Sequence, residues 1–106
     1  MNSEQLTATL AELVMGWRVA PNRFLIGNRS WLPRWRFQPT KSLNDALRLL
    51  VSAAPQEHSM GTTKNGGFWA KVRIAGRTGH ASESSQARAL TFAIARAIGL
   101  NVDAAE

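Results

Sequence analysis

Cysteine is absent from this chain, which excludes a disulfide framework, a cysteine-ligated zinc site and a thiol nucleophile. Long apolar runs are missing as well. No stretch approaches the ~18 residues that a membrane span requires. Residues 1–30 lack a basic segment followed by a continuous apolar one, and Glu4 and Glu12 flank the only candidate. Neither a secretion signal nor a membrane anchor is therefore expected. Histidine is scarce. Neither His58 nor His80 has a second histidine or a carboxylate at metal-ligand spacing, so no metal site is expected. Glu57 adjoins His58, but consecutive side chains of a strand point to opposite faces. The seven acidic residues include no apolar-flanked pair of the kind that acid–base catalysis uses. Serine clusters at Ser82-Glu83-Ser84-Ser85, yet no Gly-x-Ser-x-Gly elbow occurs. No enzyme and no cofactor are expected.

What is present fits one small globular domain over residues 1–106. A chain of 106 residues is long enough for one core and too short for two, and it buries roughly two thirds of the surface its unfolded form exposes. The hydrophobic fraction of 44% is ordinary for a folded domain. Order is expected over about residues 3–100, with 101–106 a frayed tail. A soluble, cytoplasmic location follows from the same features. The formal charge is +6, and ten of the basic residues are arginine. No acidic residue lies between Glu12 and Asp45, whereas Arg18, Arg23, Arg29, Arg34, Arg36 and Lys41 do. Such a field attracts phosphates, nucleic acid or an acidic protein surface, or it serves solubility alone.

The periodicity predicts a first helix over Glu4–Met15, with Ser3 as N-cap and Gly16 as terminator. Leu6, Leu10, Leu13, Val14 and Trp17 fall on one face, with Thr7, Thr9 and Glu12 outward. Short strands are expected at 17–20 and 23–26 around a Pro21-Asn22 turn, with a second turn at Gly27-Asn28-Arg29-Ser30. Arg34-Trp35-Arg36-Phe37 alternates basic and aromatic residues and reads as a short strand between Pro33 and Pro39. Ser42 should cap the second helix, with Asp45 answering it in a capping box. Leu43, Ala46, Leu47, Leu50 and Val51 make its buried stripe, with Asn44 and Arg48 exposed. A hairpin follows: Gln56–Met60, a loop at Gly61–Gly67, and the clearest strand at Phe68–Ala75. Phe68, Ala70, Val72 and Ile74 face one way on it; Trp69, Lys71 and Arg73 face the other. The last helix should start near Ser82 or Ser84 and end at Gly99, with Ala87, Leu90, Ile94, Ala97 and Ile98 inward. The fold class is α+β: a single small sandwich domain, three helices on a mostly antiparallel sheet, in the order α-β-β-α-β-β-α.

Several segments carry a resemblance. They are Leu10-Ala11-Glu12-Leu13-Val14-Met15-Gly16-Trp17, Pro39-Thr40-Lys41-Ser42-Leu43-Asn44-Asp45-Ala46-Leu47, Phe68-Trp69-Ala70-Lys71-Val72, and Ala87 to Gly99. In this order the chain, over residues 6–100, resembles the phage ABA sandwich domain family. The resemblance implies helices on both faces of a sheet, a phage or prophage source and residence in the cytoplasm of a bacterial host. It implies no reaction, cofactor or catalytic residue.

The candidate site residues fall in two groups. The loop Gly76-Arg77-Thr78-Gly79-His80 is expected to run into a helix N-terminus. Main-chain N–H groups and the dipole bind anions there, and Arg77, Thr78 and Ser82 add donors. An ordinary connection before a capped helix is the alternative. The loop lacks Gly-Lys-Ser/Thr and is no P-loop, and neither is Gly61–Gly67. Trp17 and Trp35 are expected to anchor the core, leaving Trp31 and Trp69 for the surface. Trp69 shares a strand face with Lys71 and Arg73, and a ring beside cations suits base stacking with phosphate contact. If a helix covers that face, Trp69 is core instead. Trp31, Arg34 and Arg36 complete the set. The expectation is a non-enzymatic accessory protein that binds a phosphate-bearing ligand, either a nucleotide signal of host defence or a nucleic acid. Its rivals are an inhibitor docking on an acidic patch of a host defence protein, and a structural or homo-oligomeric phage component.

Overall fold

The computed structural model describes residues 2–27 and 30–100. Asn28 and Arg29 of the expected second turn, and the 101–106 tail, lie outside the described residues. Among the described residues three helices alternate with two sets of three strands. The elements are α1 (Ser3–Leu13), β1 (Arg18–Ala20), β2 (Arg23–Leu25), β3 (Trp31–Pro33), α2 (Leu43–Ala53), β4 (Glu57–Thr62), β5 (Phe68–Ile74), β6 (Arg77–Glu83) and α3 (Gln86–Ala97). All strand pairs are antiparallel. The α+β class and the helix–strands–helix–strands–helix order are those the sequence predicts. The strands form two sheets, β1-β2-β3 and β4-β5-β6.

α1 begins one residue earlier than expected because Asn2, not Ser3, is its cap. Gln5 N–H donates to Asn2 Oδ1 at 2.8 Å and Asn2 N–H donates to Gln5 Oε1 at 2.9 Å, a reciprocal capping box. Its inward face is Leu6, Thr7, Leu10 and Ala11. Leu13 is exposed and Thr7 buried, the reverse of the expectation. The inward face lies about one residue around the helix from the predicted one.

Arg34–Arg36 is a 3₁₀ turn. The strand expected at 34–37 lies just upstream, at Trp31–Pro33, paired with β2. Pro33 is the last residue of the strand, and Arg34 turns back toward it: its N–H donates to Asn22 O and its guanidinium to Ala20 O. Trp35 is consequently 70% exposed and does not anchor the core. Trp17 does, half-buried against Phe24 and Phe37, with ring centroids 5.6 and 5.0 Å away.

Ser42 caps α2, accepting from Asp45 N–H at 3.3 Å. The Asp45 carboxylate does not complete a box; it accepts from Gln38 N–H at 2.9 Å and so holds the approach to the helix. The buried stripe is Ala46, Leu49 and Leu50. Val51 is 78% exposed and Leu47 lies at the edge of exposure, so the helix is rotated from the predicted setting. That rotation places the Arg48 guanidinium 5.1 Å from the Trp17 ring centroid.

The largest departure follows β5. Ala75 and Gly76 both have positive φ, 52° and 81°, the signature of a two-residue type I′ hairpin turn. The chain therefore turns straight back, and Arg77–Glu83 forms a strand paired with β5 from Ile74↔Arg77 to Phe68↔Glu83. The segment read as an anion-binding loop before a helix is a strand. The helix starts only at Gln86, capped by Ser85, whose Oγ accepts from Arg88 N–H at 3.1 Å. At its far end Gly99 N–H donates to Arg96 O and Leu100 N–H to Ala95 O, the paired bonds of a Schellman motif.

α3 is buried nearly all round: Ala87, Ala89 through Ala95 and Ala97. Such a helix must be covered on opposite sides. One side packs on β5 and β6, the other on α2. The buried Thr91 hydroxyl donates to Pro39 O at 2.8 Å and fastens that second side. Gly79 makes the first contact possible, since a Cβ there would collide with Ala93 O and Ala97 N. The central layer is thus a helix. Among the described residues no helix lies on the other face of β4-β5-β6, so helices on both faces of one sheet, as the resemblance implied, are not found.

Candidate functional site

The uncovered face of the larger sheet carries most of the predicted site residues. Alternation along β5 turns Ala70 and Val72 inward to full burial and leaves Lys71 and Arg73 exposed. The register then fixes their neighbours. Three rows cross the face: Glu57–Arg73–Thr78, Ser59–Lys71–His80 and Gly61–Trp69–Ser82. Trp69, Lys71, Arg73, Thr78, His80 and Ser82 therefore share one surface. The sequence grouped them for a different reason, as a strand face beside a phosphate loop.

Trp69 has a defined pose on this surface. A Cβ built on Gly61 would sit 2.5 Å from Trp69 Nε1 and under 3 Å from two ring carbons. The indole therefore lies over Gly61, in the space a side chain would fill. The His80 imidazole is nearly parallel to it, at 20°, with centroids 6.3 Å apart. These two ring faces run beside the cations Lys71 and Arg73. Arg73 lies 3.6 Å from Glu57, both well exposed, where solvent screening leaves such a pair worth little. Glu57, Ser59 and Gly61 were missed in the sequence reading. The alternation of β4 against β5 was the signal that could have found them.

The remaining candidates lie elsewhere. Arg77 is out of phase with Thr78 and His80 and turns to the helix side, its guanidinium against Gly99. That places a cation at the negative end of α3, a structural role. Arg34 is half-buried and donates to Ala20 O at 3.1 Å and Glu4 O at 3.4 Å. It ties α1 to the first sheet, with its guanidinium 5.0 Å from the Phe24 ring centroid. Arg36 lies 5.8 Å from the centroid of the exposed Trp35 ring, and Arg23 lies at the same distance from Trp31. Trp31, Arg34 and Arg36 thus belong to the first half of the molecule, not to the Trp69 face. Among the described residues no three of His, Asp and Glu come together to hold a metal ion. No described helix is long and apolar enough to cross a membrane.

No protein-family model matches the chain, and no curated protein does. A solved structure does match: a phage protein from Bacillus cereus, with a TM-score of 0.75 at 10% identity, covering 95% of this chain and 91% of the other. At that identity the likeness is one of fold.

Proposed function

We propose that this is a non-enzymatic phage or prophage protein that holds single-stranded nucleic acid across the open face of β4-β5-β6. The shared fold with a phage protein supports the source. The observation that carries the function is the Trp69 ring laid over Gly61, with His80 nearly parallel and Lys71 and Arg73 alongside. Bases of any sequence stack on such rings, while the cations meet the phosphates. A sheet face offering rings and cations in successive rows suits an extended strand. The anion loop is no part of this reading, because residues 77–83 are strand.

The test is fluorescence anisotropy of a labelled oligothymidylate titrated with the full chain at low salt. Trp69→Ala is expected to cost about 1–3 kcal/mol of binding. Gly61→Ala displaces the indole and weakens binding with little change in the urea midpoint. Glu57→Gln removes the one carboxylate in these three rows of described residues and tightens binding a few-fold. The slope of log K against log salt should be about −0.7 per phosphate contacted. Binding indifferent to Trp69→Ala, or no binding, removes this reading and favours a basic surface that docks on an acidic host protein.

A further inference from the structure

The outer face of the small sheet has a site of its own. Val19, Phe24 and Leu32 lie opposite one another in the register, and Phe24 among them is fully buried. The alternate residues face outward, with Arg18, Leu25 and Trp31 in one row and Ala20, Arg23 and Pro33 in the next. Arg18 and Arg23 are exposed, and Trp31 is 56% exposed. This face borders a cavity of about 430 Å³ whose apolar lining is Trp31, Leu25 and Ile26 and whose polar lining is Arg18, Arg23 and Ser30. Among the described residues no carboxylate lines it.

That lining selects a ligand class. Arg18 and Arg23 are diagonal neighbours on adjacent strands, roughly 7–8 Å apart at the main chain. Two long side chains at that spacing can converge on one phosphate, and the guanidinium fork matches its oxygens. Among the described residues no acidic side chain of the lining competes with an anion for either arginine. A bare anion would leave the indole unused, and a neutral ring would leave both arginines unused. The cavity volume falls in the usual small-molecule range of roughly 300–1,000 Å³.

We propose that this cavity is a mononucleotide site, in which Trp31 stacks on the base while Arg18 and Arg23 hold the phosphate. It is separate from the Trp69 face and stands without it. A free nucleotide and the phosphorylated end of a strand share this chemistry, and the test distinguishes them. The full chain is titrated calorimetrically with adenosine 5′-monophosphate, adenosine, inorganic phosphate and a short 5′-phosphorylated oligonucleotide. The monophosphate should bind at least about tenfold more tightly than adenosine or phosphate, since each of those lacks one of the two contacts. Trp31→Ala and the double variant Arg18→Ala/Arg23→Ala should each weaken it by about tenfold, while Trp69→Ala leaves it unchanged. The double variant keeps the ring, so a folding defect in Trp31→Ala would not decide the matter. In the Trp69→Ala background, which removes the stacking ring of the other face, an oligonucleotide tighter than the monophosphate assigns the site to strand ends, and the reverse assigns it to free nucleotides. Absence of monophosphate binding, or binding that survives the Arg18→Ala/Arg23→Ala change, overturns the site. Oligothymidylate binding lost in Trp69→Ala would still stand as a separate result.

Discussion

The two halves of this protein fill their interiors by opposite means. Around β1-β2-β3 the space is taken by rings: Trp17, Phe24 and Phe37 meet with centroids 5.0–5.8 Å apart, one pair tilted and two edge-on. Around β4-β5-β6 it is closed by bringing main chains together. Ala70, Val72 and Ala81 on the strands face α3, five of whose nine buried residues are alanine, and Gly79 admits the helix backbone directly. Large rings gain apolar area per residue. Small residues gain proximity, and a core so built has no room to relax outward. The first half should therefore suffer most from truncation and the second from enlargement.

Substitutions ordered by expected effect sharpen or break that contrast. Phe24→Ala removes a fully buried ring with two aromatic partners and should cost about 3–5 kcal/mol; a small shift in the urea midpoint would show that the ring cluster is not a core. Gly79→Ala adds one methyl group against Ala93 and Ala97 and should cost about 1–3 kcal/mol. If thermal denaturation shows no loss there, the helix is free to move off the sheet and the close-contact account fails. Trp35→Ala should change stability by under about 0.5 kcal/mol, because this ring belongs to the aromatic half but stands in solvent. Gly27→Ala, where among the described residues an added Cβ meets only Ser30 Cβ at 3.9 Å, should be the quietest and serves as the control for Gly79.

The sequence was most legible where period and punctuation agree. β5 was readable residue by residue, since Phe68–Ile74 alternates without interruption, and the Ser42 cap and Gly99 terminator follow from local hydrogen bonding alone. Helix rotation was less legible. α2 has five large apolar residues spread around it, and only its tertiary partner, α3, decides which of them turn inward. β6 was not legible at all. Its turn is Ala75-Gly76 instead of the usual Asn-Gly, alanine rarely takes positive φ, and the two glycines of Gly76-Arg77-Thr78-Gly79 imitate an anion loop. One of those glycines makes a turn and the other admits a helix. The site inherited this error in part. Trp69, Lys71 and Arg73 were placed correctly on one face. Arg77 is expected in a loop before a helix N-terminus; the Ala75-Gly76 turn puts it in a strand instead, on the side that faces α3.

Arg96 has a consequence for how these molecules behave when crowded. β6 is the outer strand of its sheet, and an outer strand offers main-chain groups to any passing chain. The Arg96 guanidinium reaches from α3 and donates to His80 O at 2.7 Å, midway along that strand. A second molecule seeking to extend the sheet would have to displace this bond and approach a cation. The helix that builds the interior thereby also guards this edge of the sheet.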